Sequence, residues 1–285
     1  MKIAVIGPGG IGSTFAFQLA RAGHDVTVVA RGKRLAQLQR DPAIVKATGE
    51  RAAVAVSAAL DEATEWDLVL APVLATQVDA LLPALAASKA RTIMFMFNTF
   101  EPLARLRAAV GAERFAFGFP AILAGVEDGL LTTKIVDRPM CTTVTDAGWA
   151  KVFSDAGIPA VVEADMESWL RTHAAMVVPV MIAAGRSYQR QAGVTWAEAM
   201  QLARAADEGL RLVRGLGFRI TPASMVTLSH LPIRVLATLL WSMSRLAVIR
   251  RSGAAGFVEP RGLIDAMAVA APGQTPMLLA VRPAD

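Results

Sequence analysis

The sequence predicts an α/β protein in two parts. An N-terminal domain of alternating strands and helices covers residues 1–164, and an all-helical domain covers 165–285. Three observations carry this. Short apolar runs alternate with helical patterns through the first half, which means a parallel sheet with helices on both faces. The first apolar run leads straight into a glycine-rich turn. From Glu163 onward the pattern is helical with long apolar periods, and glycine and proline fall mostly between them, so the boundary lies near Glu163 to Asp165.

The first strand, 2–6, is followed by Gly7-Pro8-Gly9-Gly10-Ile11-Gly12, a helix over 10–22 and a second strand over 25–30. This is the G-x-G-x-x-G pattern placed after a strand and opening a helix, inside a βαβ unit of about 30 residues. Gly7 permits the tight turn, Gly9 lets the backbone approach a pyrophosphate, and Gly12 lets helix and strand pack closely. The phosphates belong on the free N–H groups and positive end of that helix. The N-terminal domain therefore reads as a Rossmann-type dinucleotide-binding domain. The second strand ends in Arg31, with Lys33 and Arg34 just beyond and no acid between them. An acid there bonds the ribose 2′-hydroxyl of NAD, whereas an arginine accommodates the 2′-phosphate of NADP. The cofactor expected is NADP(H).

Further strands are predicted at 53–57, 67–72 and 92–97, and helices at 33–41, 75–86 and 101–109. Phe115 to Pro120 is another strand. Leu130 to Val136 and Cys141 to Val144 read as an antiparallel hairpin around Asp137-Arg138-Pro139. A helix over 147–155 and a strand over 159–162 close the domain, and helices follow at 165–187, 195–216, 222–229, 232–250 and 261–271.

Composition excludes several classes. Of 285 residues, 54% are hydrophobic and 19% charged, so a core is easily buried. The longest apolar stretch, Ala174 to Gly185, is too short for a bilayer span, which takes about 20 apolar residues. The start of the chain lacks the apolar length of a signal peptide. A lone cysteine, Cys141, excludes an internal disulfide framework and a cysteine-based metal cluster. The net charge is +5, but the cations are scattered and no basic stripe with interleaved aromatics appears, so nucleic acid is not an expected partner. A cytoplasmic enzyme is expected, binding no metal and no membrane and acting on a small molecule, a carboxylate among the candidates. The hydrophobic content is compatible with a homodimer.

Four features together resemble the ketopantoate reductase (2-dehydropantoate 2-reductase) family over essentially the whole chain: the MKIAVIGPGGIG start, Arg31 after the second strand, Asn98 after the fifth, and Glu167-Ser168-Trp169 opening the second domain. Glu259 near a helix start and Gly273-Gln274-Thr275-Pro276 near the end fit as well. The resemblance implies NADPH-dependent reduction of a 2-keto acid, with a helical substrate domain. It implies a lysine as general acid on the first helix of that domain and an asparagine one turn on. It further implies a lysine after the fourth strand, an asparagine after the fifth, and a late serine and glutamate that bind substrate. Asn98 and Glu259 carry two of these roles, and Ser242 or Ser244 is the candidate for the serine. The lysine after the fourth strand falls at Leu74, the helix lysine at Arg171, and its asparagine at Ala175, with Pro179 one turn further.

These replacements matter chemically. A guanidinium stays protonated above about pH 12, so Arg171 is suited to clamping a carboxylate or stabilising charge rather than to proton transfer. His173 titrates near neutrality and is the alternative acid. On a helix, however, 171, 175 and 179 share one face while 173 lies about 200° away, so His173 reads as a packed, hydrogen-bonded core residue ahead of a site residue. Asn98 is a ligand-edge amide or a turn residue, and Glu259 a site acid or a capping acid. Pro179 is expected to kink its helix. Three functions are compatible. The first is a reductase of this family acting on a carbonyl or imine compound other than ketopantoate. The second is a genuine 2-dehydropantoate 2-reductase with a rebuilt acid. The third is an NADP-binding protein with a non-redox or regulatory role.

Overall fold

A computed structural model describes residues 1–137 and 140–284. Two compact units are present. One is Met1–Phe97 with Leu103–Met166, and the other is Glu167–Asp285 with Asn98–Pro102.

The first unit is built from β1 (Lys2–Ile6), α1 (Gly10–Arg21), β2 (Asp25–Val29), α2 (Gly32–Arg40), β3 (Ala43–Lys46), β4 (Arg51–Ala53), β5 (Ala55–Ser57), β6 (Leu68–Ala71), α3 (Leu82–Ala87), β7 (Ile93–Met96), α4 (Ala104–Val110), β8 (Phe115–Phe119), β9 (Ile122–Glu127), β10 (Leu130–Ile135), β11 (Thr142–Val144), α5 (Ala147–Asp155) and β12 (Ala160–Val162). Eight strands form the main sheet in the order β12-β11-β8-β7-β6-β1-β2-β5. From β5 to β8 they are parallel, and β11 joins antiparallel to β8. The order of its parallel part reverses at β1, between β2 and β6, and in open α/β sheets such a reversal is where ligands characteristically bind. β6 and β7 are buried along their whole length, as strands covered on both faces must be.

Four strands form a second sheet, β4-β3-β10-β9, that departs from the sequence expectation. The hairpin expected from 130–136 and 141–144 does not form. Leu130–Ile135 instead pairs antiparallel with Ile122–Glu127, and Thr142–Val144 lies beside β8 in the main sheet. The reason is the Asp128-Gly129 dipeptide, whose φ values of 48° and 85° suit a tight hairpin turn. Arg138 and Pro139, the centre of the expected turn, lie outside the described residues. β3, which was not expected, pairs with β4 across Gly49 and with β10. The helix expected over 75–86 is a 3₁₀ turn, Ala75–Gln77, followed by α3.

The second unit comprises α6 (Met166–Arg190), α7 (Trp196–Gly215), α8 (Ala223–Leu228), α9 (Ile233–Met243), α10 (Ala247–Ser252), α11 (Val258–Ala270) and α12 (Pro276–Val281). α6 continues through Pro179 as one helix. α6 and α7 approach closely at Ala175, whose Cβ would be 3.0 Å from a Cβ on Gly209. The single helix expected over 232–250 is broken. The Ser244 hydroxyl donates to the Trp241 carbonyl and accepts from Val194 N–H, which ends α9. Glu208, buried on α7, accepts from the N–H groups of Met277 and Leu278 and thereby caps α12.

α7 opens with a capping box of Thr195 and Glu198, and Arg190 from the end of α6 grips the Glu198 carboxylate through two 2.7 Å bonds. These donors lower the Glu198 pKa to about 2. A carboxyl depressed in the fold stabilises it above the unfolded pKa, and that contribution is lost as pH falls from the ordinary carboxylate range through about 2. Urea unfolding of wild type and Glu198→Gln should therefore differ by about 1–2 kcal/mol at neutral pH and converge near pH 2.

Candidate functional site

The glycine loop sits at the end of β1. Gly9 is the N-cap of α1, with no side-chain cap and no acid in the first turn, so the N–H groups of Gly10, Ile11 and Gly12 have no acceptor within the helix. A Cβ on Gly9 would meet nothing within 4 Å, which leaves the approach open there. The other glycines are needed for packing. A Cβ on Gly12 would lie 2.3 Å from the Gly7 carbonyl oxygen, and one on Gly10 would lie 2.5 Å from that of Ala124 on β9. Gly10 therefore serves the docking of α1 on the second sheet. The Ser13 hydroxyl donates to the Pro8 carbonyl at 2.9 Å and fixes the loop from inside. A dinucleotide pyrophosphate fits this arrangement of open approach, unpaired donors and positive helix end.

The three cations after β2 separate into two kinds. Arg31, the N-cap of α2, and Lys33 are exposed. Arg34 is half-buried and turns back onto the loop. Its Nε donates to Pro8 O at 3.3 Å, one Nη to Gly129 O at 3.1 Å, and the other Nη to Ser13 Oγ at 3.4 Å. Arg34 thus ties the glycine loop to the β9–β10 turn. Arg34→Ala should lower the unfolding free energy by about 1–3 kcal/mol, read by denaturant titration. It should weaken NADPH and NADH binding by the same factor. Leu74 is exposed, and its N–H is bonded to Gln77 Oε1 in the 3₁₀ turn after β6.

In the helical unit the structure brings together Asn98 and Glu259, 161 residues apart. Asn98 Nδ2 donates to Glu259 Oε1 at 2.6 Å. Glu259 is in the first turn of α11. Burial raises its pKa above the ordinary carboxylate range, and the Asn98 bond offsets that only in part.

Arg171 is buried on α6. Its guanidinium bonds the carbonyl and the carboxylate of Glu167 one turn earlier, the latter at 3.0 Å, and lies 3.9 Å from the centre of the Phe218 ring. Phe218 is held there by its loop. Ser168 Oγ accepts from Arg219 N–H, and Thr172 Oγ1 donates to Arg219 O and accepts from Thr221 N–H. His173 stacks face to face on Trp169, with centroids 5.0 Å apart. Burial lowers its pKa to about 4, so the imidazole is neutral at physiological pH. A base depressed in the fold stabilises it above the unfolded pKa, and this is lost as pH falls from about 6.5 through about 4.

The next residues on the face of Arg171 are packed into the core. Ala175 is fully buried against α7 and Pro179 is buried in the core face. Of the two candidate serines, Ser244 is fully buried with its hydroxyl spent on backbone, while Ser242 is exposed. Sequence reasoning missed the Arg171 partners. The Glu167–Arg171 spacing of four was a readable signal for the pair, whereas Phe218 gave none. Among the described residues no group of three or more His, Cys, Asp or Glu is placed to hold a metal, and no helix is long and apolar enough to cross a membrane.

Comparison with known proteins agrees with this architecture. Residues 3–131 match the family described as Ketopantoate reductase PanE/ApbA. No match is found among curated proteins. A PanE/ApbA family ketopantoate reductase from Ralstonia eutropha JMP134 has a similar structure, with a TM-score of 0.76 at 19% identity over 99% of this chain and 97% of that one. The dimeric ketopantoate reductase of Staphylococcus aureus superposes with a TM-score of 0.69 at 13% identity, covering 99% and 96%. A D-mandelate dehydrogenase solved with NADH and anilino(oxo)acetate gives 0.68 at 14% identity, covering 99% and 98%. Residues 3–131 thus match the N-terminal domain of the ketopantoate reductase family, and the chain has the fold of that family's solved members along its length.

Proposed function

We propose that the chain is an NADPH-dependent oxidoreductase that reduces the carbonyl or imine carbon of a small organic acid other than ketopantoate. The observation that carries this is the 2.6 Å Asn98–Glu259 bond, with the Glu259 pKa raised by burial. A carboxyl whose pKa is raised by burial and whose orientation is fixed by an amide is suited to general-acid work. NADPH, when bound, supplies the hydride. Gly9 and the first-turn N–H groups of α1 would hold its pyrophosphate, and Arg31 and Lys33 its 2′-phosphate. Asn98 orients the Glu259 carboxyl through Oε1. Glu259 donates its Oε2 proton to the oxygen or nitrogen left negative as the carbon is reduced. Arg171, buried and bonded to the Glu167 carboxylate, braces α6 against the Phe218 loop. His173, stacked and neutral, packs the helix and is not the acid.

A 2-oxo acid is the favoured substrate class. The fold neighbour solved with anilino(oxo)acetate is a mandelate dehydrogenase, so this fold accommodates acids unlike ketopantoate. A homodimer is the expected assembly by analogy with the Staphylococcus aureus enzyme, and a soluble cytoplasmic location suits such chemistry. NADPH consumption against a panel of 2-oxo acids, ketones and imines is the test. Turnover with a 2-oxo acid and little with ketopantoate is expected. Ketopantoate turnover at ordinary enzyme rates would point to a rebuilt 2-dehydropantoate 2-reductase instead.

A further inference from the structure

The Asn98–Glu259 bond depends on where α11 begins. Phe257 is the N-cap of α11, two residues before Glu259, and it is half-buried. Its ring rests on the bare backbone of α6. A Cβ on Gly185 would lie 2.3 Å from Phe257 Cε1 and 2.6 Å from Cζ. Four residues before Phe257, Gly253 makes a second approach to the same stretch. A Cβ there would lie 2.2 Å from the Ala184 carbonyl oxygen and 2.8 Å from Gly185 N. Carbon contacts are optimal at about 3.5–4.0 Å, so neither position has room for a side chain. From the other side, the Phe257 carbonyl accepts from Arg261 N–H at 3.1 Å and from Arg261 Nε at 3.3 Å. Phe257 is thus fixed between α6 and the first turn that carries Glu259.

We propose that the Gly185–Phe257 contact is a positioning device for Glu259. The ring, seated on glycine backbone, sets where α11 starts and so where the carboxyl meets Asn98. Gly185 and Phe257 are positioning residues and need not touch substrate. The catalytic meaning of the contact rests on the reading of Glu259 as proton donor, but the geometry does not.

The experiment follows the Glu259 titration by carbon NMR of full-length protein labelled at glutamate carboxyls, with the resonance assigned by Glu259→Gln. Gly185→Ala should drive the ring off α6 and admit water. The Glu259 midpoint should then fall toward the ordinary carboxylate range by about half a pH unit or more. In a Phe257→Leu background Gly185→Ala should add nothing, because leucine lacks the ring atoms that meet the new Cβ. Gly262→Ala, on α11 with nothing within 4 Å of its Cβ, should leave the midpoint in place. A folded Gly185→Ala protein with the wild-type midpoint would overturn the proposal, as would an equal shift in both backgrounds. Should Gly185→Ala fail to fold, Phe257→Leu and Phe257→Ala decide. A lowered midpoint supports the contact's role, and an unchanged midpoint in both overturns it. NADPH oxidation by Gly185→Ala should slow by about tenfold or more, in keeping with a displaced catalytic group. If Glu259→Gln oxidises NADPH at the wild-type rate, the proton-donor reading fails while the NMR arm still decides positioning.

Discussion

Glu259→Gln should lower the rate of NADPH oxidation by about 10²–10⁴-fold while leaving NADPH affinity unchanged, because it removes one general acid and nothing from the glycine loop. The amide of glutamine is close in shape to the carboxyl and its oxygen still accepts from Asn98, so packing at the start of α11 is kept. Asn98→Ala should cost less, because Glu259 then loses its orientation but not its proton. Its carboxyl also loses the one interaction that lowers its pKa, so it should titrate still higher. The linkage has a definite sign. A carboxyl raised in the fold favours folding below its unfolded pKa, and that contribution is lost as pH rises through the folded value. Glu259→Gln should therefore be relatively more stable than wild type at neutral pH than at acid pH, read by urea unfolding at the two pH values.

The second large effect concerns the cofactor. Arg31→Ala combined with Lys33→Ala should raise the Kd for NADPH by about 10–100-fold, the value of charge-assisted bonds to one phosphate, and leave that for NADH nearly unchanged. Both cations are exposed at the start of α2, where removing them disturbs no packing. Arg34→Ala provides the contrast, since its guanidinium braces Pro8, Ser13 and Gly129. Isothermal titration of each variant with both nucleotides separates the two behaviours. A ratio of NADPH to NADH affinity that Arg31 and Lys33 do not control would contradict the 2′-phosphate assignment.

Arg31 and Arg34 also mark the limit of the sequence reading. Both are arginines after the same strand, and only the position of the β9–β10 turn distinguishes a solvent-facing cation from an internal brace. That turn was itself missed. Asp128-Gly129 is a strong hairpin signal, but the run before it, Ile122–Glu127, has Ala124-Gly125 at its centre, which weakens its strand pattern. The main sheet was legible because its parallel strands are continuous apolar runs such as Leu68–Ala71 and Ile93–Met96. The two partners of the candidate site were legible singly. Asn98 follows a strand and Glu259 precedes Pro260, yet their bond spans 161 residues and no local pattern encodes it. Helical spacing correctly set His173 apart from Arg171, but it could not say that the Arg171 face, through Ala175, packs on Gly209.

The most direct measurement is the pH dependence of NADPH oxidation by wild-type protein with its best 2-oxo acid, set beside Glu259→Gln. The account predicts a rate that falls as pH rises through the elevated Glu259 pKa, and a Glu259→Gln rate that is low and without that step. NADPH that binds but is oxidised by no 2-oxo acid, ketone or imine at any pH would contradict it, as would a wild-type profile that Glu259→Gln reproduces.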